Sequence, residues 1–370
     1  MAIGVETGKS LAVRGRTERG LQARPSWVGK VGIVALALLA VSSLLASVAT
    51  GASTASVLHV IAGLIGAVPD DSAAFVRDRI IVIDIRLPRA VLGFLTGAAL
   101  GVCGAVMQGL FRNPLADPGI VGVTSGASLG AVAFIVFGQG VLAPVAIALG
   151  IFALPVAAFA GSLVATFILY RIASSDGETR IGTLLIAGIA IAALGAALTG
   201  LMVYMADDRQ LRDITFWSLG SLAGSTWEKA FVAGLVILPS LAAVPFMARA
   251  LNAFTLGEAA AYHMGVPVER FKRTAILIVS AATGVAVAFS GGIGFVGIIV
   301  PHLIRLVAGP DHRFLLPASV FLGGSLLLVA DMIARTLVAP AELPIGILTA
   351  LIGSPFFLWI LFRGRSNRIL

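Results

Sequence analysis

Charged residues are scarce in this chain. Asp, Glu, Lys and Arg make up only 12% of its 370 residues, while 58% are hydrophobic and the mean hydropathy is +1.03. Because a soluble domain carries about 25% charged residues, this composition excludes a soluble enzyme and a free nucleic-acid-binding protein. The net charge of +8 does not restore nucleic acid as a partner, since the basic excess of a membrane protein usually resides in its cytoplasmic loops.

Cysteine and histidine are also rare. The single cysteine, Cys103, excludes a disulfide scaffold, an iron–sulfur cluster and a zinc site built from cysteines, and four scattered histidines leave little for a metal cluster. Gly4 and Gly8-Lys9-Ser10 resemble the end of a nucleotide-binding loop, but three residues separate the glycines where four are needed. No convincing Ser-His-Asp grouping is present either. We therefore expect no catalytic residue, metal or cofactor in this chain.

Long apolar runs are abundant. A helix needs about 20 apolar residues to cross a ~30 Å hydrocarbon core, and the charge-free runs, divided where glycine-rich turns interrupt them, give ten such segments. The predicted spans are 31–50, 88–111, 118–137, 142–170, 181–206, 230–248, 273–290, 292–308, 314–334 and 343–362. The sequence thus predicts an all-α polytopic membrane protein with ten transmembrane helices. The first run also offers a signal-peptide cleavage site at 46–49, although it is longer than the usual apolar core of about 7–15 residues.

The positions of lysine and arginine predict the orientation of these spans. With the N-terminus in the cytoplasm, 18 of the 26 basic residues fall in inside segments and 8 in outside segments, as the positive-inside rule requires. We therefore expect a basic cytoplasmic tail at 1–30, a transmembrane domain at 31–362 and a cytoplasmic tail at 363–370. Ten spans divide into five plus five, and an odd number in each half would make the halves inverted repeats.

Ionisable residues are few inside the spans. A transporter coupled to protons or sodium usually keeps some there, because buried charge is costly and retained for a task. The sequence therefore favours a transport pathway whose energy comes from another protein, with an ion-coupled secondary transporter as the alternative. Small residues at four-residue spacing predict close helix packing in the lipid bilayer. They are Gly93, Gly97 and Gly101, then Gly122, Gly126 and Gly130.

Arginines mark the predicted outer face. Arg86 and Arg89 flank Pro88, a residue that suits a helix start, and Arg335 follows Asp331 by four residues near the outer end of the ninth span. Arg86 and Arg89 are either ordinary interfacial residues or docking residues for an acidic partner, whose orientation and association rate they would tune more than its affinity. For Asp331 and Arg335 the alternative to a role at the outer surface is a local i,i+4 pair.

Two predicted cytoplasmic loops have distinctive sequences. In 113–118, NPLADP, two prolines and an Asn/Asp pair forbid a continuous helix and favour a compact turn. This turn is either a simple helix break or, through Leu115, an apolar constriction. The longest cytoplasmic connection, 249–273, contains a short helix-forming stretch that is ended by Gly265 and Pro267. Its small apolar face would fit a groove on another protein or lie on the lipid surface.

Four stretches, in this order, resemble the permease subunits of ATP-binding-cassette importers for iron–siderophore complexes, vitamin B12 and heme. They are RLPRAVLGFLTGAALGVCGAVMQGLFRNPLADPGIVGVTSGASLGAV (86–132), LGEAAAYHMGVPVERFKR (256–273), SGGIGFVGIIVPHLIRLVAGPDHR (290–313) and ADMIARTLVAPAELPIGILTALIGSPFFLWIL (330–361). The resemblance implies a homodimer in the bacterial inner membrane with its transport pathway at the dimer interface. It also implies two cytoplasmic ATPase subunits, which bind ATP and magnesium, and a periplasmic substrate-binding protein.

Matched motif by motif, the resemblance implies roles for individual residues. It places docking of the binding protein at Arg86, Arg89 and Arg335. It places a cytoplasmic gate at Asn113 and Leu115, with a weaker match for a second gate segment near Ile181-Gly182. Coupling to the ATPase is implied for coupling helices within 249–273, at Gly257, Glu258, Ala259, Ala260 and Gly265.

Within the family, the resemblance points to heme as the cargo. Gly292 stands where proline is commoner, and this departure, together with DIRLPR (84–89) and ITFWSLGSLAGSTW (214–227), resembles the heme branch. A ferric siderophore is the next expectation and vitamin B12 the third. We do not expect His302 or His312 to ligate heme, because His302 lies in a motif shared with non-heme members and both lie towards the cytoplasm.

Overall fold

The computed structural model of the protein describes residues 26–51, 53–66, 72–175 and 178–366. Regular structure in these ranges is almost entirely helical. The α-helices are α1 (Ser26–Ala49), α2 (Val57–Leu64), α3 (Ala73–Arg79), α4 (Leu87–Leu110), α5 (Val123–Phe137), α6 (Ala143–Leu149), α7 (Ala153–Ala173), α8 (Ile181–Met205), α9 (Asp208–Leu219), α10 (Trp227–Ala243), α11 (Ala248–Phe254), α12 (Glu258–His263), α13 (Val268–Ser290), α14 (Val296–Ala308), α15 (His312–Leu337) and α16 (Ile345–Ser366). A π-helix covers Ile80–Arg86, and 3-10 turns cover Pro118–Val121, Gly150–Phe152 and Val244–Met247. A short antiparallel hairpin pairs β1 (Ser174–Ser175) with β2 (Glu178–Thr179).

The apolar helices follow the ten predicted spans. In the described part of the chain, seven helical stretches are long and apolar enough to cross a membrane, and three shorter apolar helices complete the set. The long ones are Gly29–Ala49, Ala73–Leu110, Ala143–Ala173, Ile181–Met205, Trp227–Phe254, Val268–Ser290 and His312–Leu337; the shorter ones are Val123–Phe137, Val296–Ala308 and Ile345–Trp359. The prediction of an all-α polytopic membrane protein is confirmed. The inverted halves and the cytoplasmic tails stay predictions, and residues 1–25 and 367–370 lie outside the described residues.

Several helix boundaries differ from the predicted ones, chiefly because a helix can continue through charged residues that end an apolar run. The second span was predicted to begin at 88, but the helix runs from Ala73 through the π-helix to Leu110. Asp78 and Arg86 interrupt the apolar run there, and the fold buries both. The eighth span begins at Val296 rather than at 292, because Gly291, with φ of +72°, ends α13 and a non-helical turn follows.

Helix α4 lies at the centre of the bundle and packs against α10, α13, α14 and α15. Its glycines explain the close approach. A β-carbon at Gly97 would collide with the backbone of Gly323 on α15, and one at Gly101 would lie 2.7 Å from the Ser319 carbonyl oxygen. Helices α5 and α7 meet in the same way through Gly126 and Gly161. The helix packing predicted from the glycine spacing is thus confirmed, since no side chain separates these backbones.

Helix α9 and the β1–β2 hairpin were not predicted. Helix α9 begins with a capping box between Asp207 and Gln210, and each strand of the hairpin has two residues. Both elements connect spans, and the strands are too short for hydrophobic periodicity to identify them. The hairpin nevertheless positions the start of α8, which begins two residues after Thr179.

Candidate functional site

The predicted gate and the predicted coupling segment lie at the same end of the bundle. A β-carbon at Gly257 would lie 3.6 Å from Nη1 of Arg112, the residue that precedes the gate turn. This end also holds Asn252 of α11, which donates to Asp311 at 2.7 Å. The structure thus brings together loops that the sequence places on the cytoplasmic side.

The gate turn is held by its own polar groups. Asn113 Oδ1 accepts the Leu115 N–H at 2.9 Å, and the Asn113 carbonyl accepts the Ala116 N–H at 3.1 Å. Asp117 Oδ1 accepts the Gly119 N–H at 2.8 Å, and burial raises the pKa of this carboxyl above its usual value. The compact turn is confirmed, with Leu115 half-buried at its tip. The gate role of Asn113 and Leu115 stays a prediction.

Two glycines frame α12, which lies in the predicted coupling segment; the coupling role stays a prediction. Gly257 has φ of +105° and Gly265 has φ of +84°, a region that side chains other than glycine rarely adopt. Between them, Glu258 lies in the first turn, while Ala259 is exposed and Ala260 is half-buried. Leu256, Tyr262 and Met264 are also exposed. This end of the bundle therefore presents a short helix with exposed apolar side chains.

Lys272 of α13 lies at the base of α12, and sequence reasoning did not single it out. Its side chain is 3% exposed and its Nζ lies 2.6 Å from Glu258 Oε2 and 2.9 Å from Glu269 Oε1. The same nitrogen donates to the Thr179 carbonyl of β2 at 2.8 Å. Thr179 in turn donates its N–H to Glu269 Oε2 at 2.8 Å. These residues line a cavity of about 540 Å³ between α12 and the hairpin.

The three predicted docking arginines come together at the opposite end of the bundle. Arg86 is 4% exposed, and its guanidinium donates to the carbonyls of Val48 at 3.1 Å and Ala49 at 3.0 Å and to that of Ser53 at 2.6 Å. Val48 and Ala49 are the last residues of α1. A cation at a helix C-terminus is favourable because it meets the negative end of the helix dipole. Arg86 therefore fastens the end of α1 to the bundle.

Arg89 and Arg335 share one buried carboxylate. Arg89 Nη2 lies 2.8 Å from Asp331 Oδ1, Arg89 Nη1 lies 2.8 Å from Glu342 Oε1, and Arg335 Nε lies 3.5 Å from Asp331 Oδ2. Arg335 also donates to the Ser47 carbonyl at 2.6 Å. The predicted i,i+4 pair of Asp331 and Arg335 is present, and the bond from Arg89 to the same carboxylate was missed.

These contacts leave the docking role of Arg86, Arg89 and Arg335 a prediction, because all three guanidinium groups are buried and held by groups of this chain. The arginine cluster comprises Arg86, Arg89 and Arg335 with the carboxylates of Asp331 and Glu342. Glu342 is its most exposed member, with 38% of its side chain accessible. A partner that meets this end in the present conformation would meet Glu342 before the arginines.

Two of the three segments that resemble the heme branch, 214–227 and the segment around Gly292, touch each other. The Ser221 N–H donates to the Ser290 carbonyl at 2.8 Å, and a β-carbon at Gly292 would lie 2.6 Å from the Ser218 carbonyl oxygen. Glycine at 292 thus permits the close approach of α9. Beside this contact lies a cavity of about 650 Å³, lined by Ser218, Gly292, Phe295 and Gly346 among others.

The two discounted histidines have partners within the protein. His302 packs edge-on against Phe356, with ring centroids 5.6 Å apart, and His312 Nδ1 lies 2.8 Å from Asn252 Oδ1. Over the residues that the structure describes, no group of three or more His, Cys, Asp or Glu side chains is arranged to hold a metal ion.

Comparisons with known proteins extend these observations to most of the chain. The sequence model of the FecCD transport family matches residues 37–363. The hemin transport system permease of Yersinia pestis is 47% identical over 286 residues, which are 77% of this chain and 84% of that protein. A cobalamin import permease of Halobacterium salinarum is 47% identical over 292 residues, which are 79% of this chain and 76% of that protein. A solved structure described as a metal-chelate type ABC transporter in an inward-facing conformation is 31% identical with a TM-score of 0.77, and covers 90% of this chain and 99% of its own.

Proposed function

The chain belongs to the FecCD transport family, and from that premise we propose that it carries heme across the bacterial inner membrane. It is the multi-pass permease subunit of an ATP-binding-cassette importer and transports without being a catalyst itself. The single observation that carries heme as the cargo is the 47% identity to the hemin permease of Yersinia pestis. Vitamin B12 is the alternative cargo, because the Halobacterium salinarum cobalamin permease is equally similar to this chain.

The proposed partners follow from the two ends of the bundle. Two ATPase subunits bind ATP and magnesium and contact the exposed face around α12, where Leu256, Tyr262 and Met264 offer apolar surface to a groove on another protein. A periplasmic binding protein docks at the opposite end, near the arginine cluster. A second copy of this chain completes the transport pathway.

The cavity beside the contact between 214–227 and 290–294 suits an apolar cargo such as heme. Both segments line the cavity of about 650 Å³, whose surface is largely backbone and apolar side chain. Such a surface makes weak contacts with a large apolar ring system and releases it again. Vitamin B12 is the second candidate, favoured by the 47% identity to the Halobacterium salinarum protein, and a ferric siderophore is the third.

Uptake by proteoliposomes tests the proposal. The permease is reconstituted with the ATPase and binding protein from its own genome, and hemin, a ferric siderophore and cyanocobalamin are offered in parallel. We expect hemin uptake that requires ATP and exceeds uptake of the other two by about tenfold or more. A matched preparation with an ATPase unable to hydrolyse ATP serves as the control.

Two outcomes would contradict the proposal at different levels. Preferential uptake of cyanocobalamin or of the siderophore would replace heme as the cargo and leave the importer intact. Uptake that continues without ATP and stops when an ion gradient is dissipated would identify a secondary transporter. The second outcome is disfavoured by the few ionisable residues inside the spans.

A further inference from the structure

We propose that Lys272 is the positioning residue that links the coupling helix α12 to the β1–β2 hairpin, so that displacement of α12 also moves the start of α8. The source of that displacement, an ATPase subunit on α12, rests on the proposed function. The link itself rests on contacts among residues of this chain.

The ammonium group of Lys272 contacts oxygen atoms from three elements. A lysine has three N–H donors and no acceptor, and Nζ lies 2.6 Å from Glu258 Oε2 of α12, 2.9 Å from Glu269 Oε1 of α13 and 2.8 Å from the Thr179 carbonyl of β2. The Thr179 N–H donates to Glu269 Oε2 at 2.8 Å and closes the network. One side chain thus fastens the coupling helix and the hairpin to the same turn of α13.

Burial makes this network strong. The Lys272 side chain is 3% exposed, whereas Glu258 and Glu269 are 36% and 31% exposed. A buried ammonium is stable only while it stays paired, and hydrogen bonds between charged groups are about twice as strong as neutral ones. The elements therefore move together unless the lysine is left unpaired.

The backbone around α12 leaves this connection to side chains. Gly257 and Gly265 flank the helix with positive φ, a conformation that glycine adopts without the steric cost of a β-carbon. Thr179 stands two residues before α8, whose first residues, Ile181 and Gly182, are the predicted second gate segment. A displacement of Glu258 is therefore transmitted to the start of α8 through Lys272 and Thr179.

A distance measurement on the chain alone tests the link. Labels are attached at Tyr262→Cys on α12 and Arg180→Cys before α8, both exposed, while the single native cysteine, Cys103, is buried. In lipid nanodiscs we expect a narrow distance distribution for the labelled parent and for Lys272→Arg, and a clearly broader one for Lys272→Met. Glu258→Gln removes only the ion pair between Lys272 and α12 and keeps Lys272 paired with Glu269. It serves as the test variant if Lys272→Met fails to fold. An unchanged distribution in a folded variant would overturn the link.

Transport measurements test what the link does. In the reconstituted complex, Lys272→Met should lower the cargo moved per ATP hydrolysed by about fivefold or more, with rescue by Lys272→Arg. Arg171→Met removes an exposed basic residue in the last turn of α7 and should leave this ratio unchanged. An unchanged ratio in Lys272→Met would overturn the positioning role. If the parent complex shows no ATP-driven uptake, the proposed function fails, and the nanodisc distances decide the link independently.

Discussion

Asp331 shows how the end of the bundle opposite α12 tolerates buried charge. Its carboxylate has no exposed surface, yet it receives three hydrogen bonds from Arg89, at 2.8, 3.1 and 3.2 Å, and lies 3.5 Å from Arg335 Nε. Arg335 also reaches the Ser47 carbonyl in α1. Removing one partner of such a pair costs more than the pair contributes, because an uncompensated charge is left in a medium of low dielectric constant.

We therefore expect Arg89→Met to destabilise the protein by about 3–5 kcal/mol, measured as a lower melting temperature of the detergent-solubilised permease. The triple variant Arg89→Met/Asp331→Asn/Arg335→Met removes all three buried charges and should recover most of the loss. Equal melting temperatures for the single variant and the parent would contradict the structural role of the pair.

The same triple variant separates stability from docking. If it melts close to the parent, a loss of binding-protein capture reflects the missing arginines and not a collapse of this end of the bundle. Capture at parental strength would remove Arg89 and Arg335 from the docking residues.

The sequence identified these arginines by motif and could not reveal what they contact. Asp331 is 242 residues from Arg89 along the chain, and two helices must pack before the two side chains meet. The carbonyls that bind Arg86 lie at the end of α1, and backbone acceptors leave no mark in a sequence. Lys272 was missed for a similar reason, since Thr179 is 93 residues away.

At the scale of elements, Asp311 stabilises the start of α15. As the N-cap residue it accepts the Arg313 N–H at 2.9 Å, and it also accepts Asn252 Nδ2 at 2.7 Å. Burial alone would raise the pKa of this carboxyl, but the hydrogen bonds from Arg313 and Asn252 outweigh it and hold the pKa below the ordinary value of 3.8. A carboxyl with a lowered pKa stabilises the fold above its unfolded pKa and loses that contribution as the pH falls through the folded pKa.

We expect Asp311→Asn, which keeps an acceptor and loses the charge, to melt below the parent at about pH 7 and to approach the parent as the pH falls below 3.8 and through the lowered pKa of Asp311. Melting temperatures across this pH range provide the measurement. Asp311→Ala also loses the cap, a cost of about 1 kcal/mol, and should stay less stable than Asp311→Asn throughout this range. A difference between parent and Asp311→Asn that does not depend on pH would contradict the charge argument.

Spans were predictable as elements because a hydrocarbon core tolerates few charges, so long charge-free runs mark them. The helical stretch before α4, which comprises α3 and the π-helix, was not predictable, because Asp78 in α3 and Arg86 in the π-helix look like loop residues until the fold buries them. The short α12 was found from its glycine and proline boundaries. The β1–β2 hairpin was missed because two residues per strand carry no periodic pattern.

At the scale of the whole molecule, α8 is a long apolar helix with little cover. Only 22% of the residues in its 18-residue apolar segment are buried within this chain. Its exposed positions include Ile186, Ile189, Ala193 and Ala197, which follow one another at spacings of three or four residues and so share one face. The opposite side packs against α5 and α7. This exposed face is where the predicted second copy would add a partner helix.

In a dimer with twofold symmetry, residues near the axis meet their own copies. We therefore expect single cysteines placed at Ile186, Ile189, Ala193 or Ala197 to form disulfide-linked dimers in native membranes, strongest at the position nearest the axis. Ala160→Cys is exposed too but stands on α7 and not on α8, so it should give little product. The buried Cys103 should give none. If Ala160→Cys crosslinks as strongly as the α8 variants, or if no α8 variant crosslinks, then this face of α8 contacts lipid and the two copies meet elsewhere.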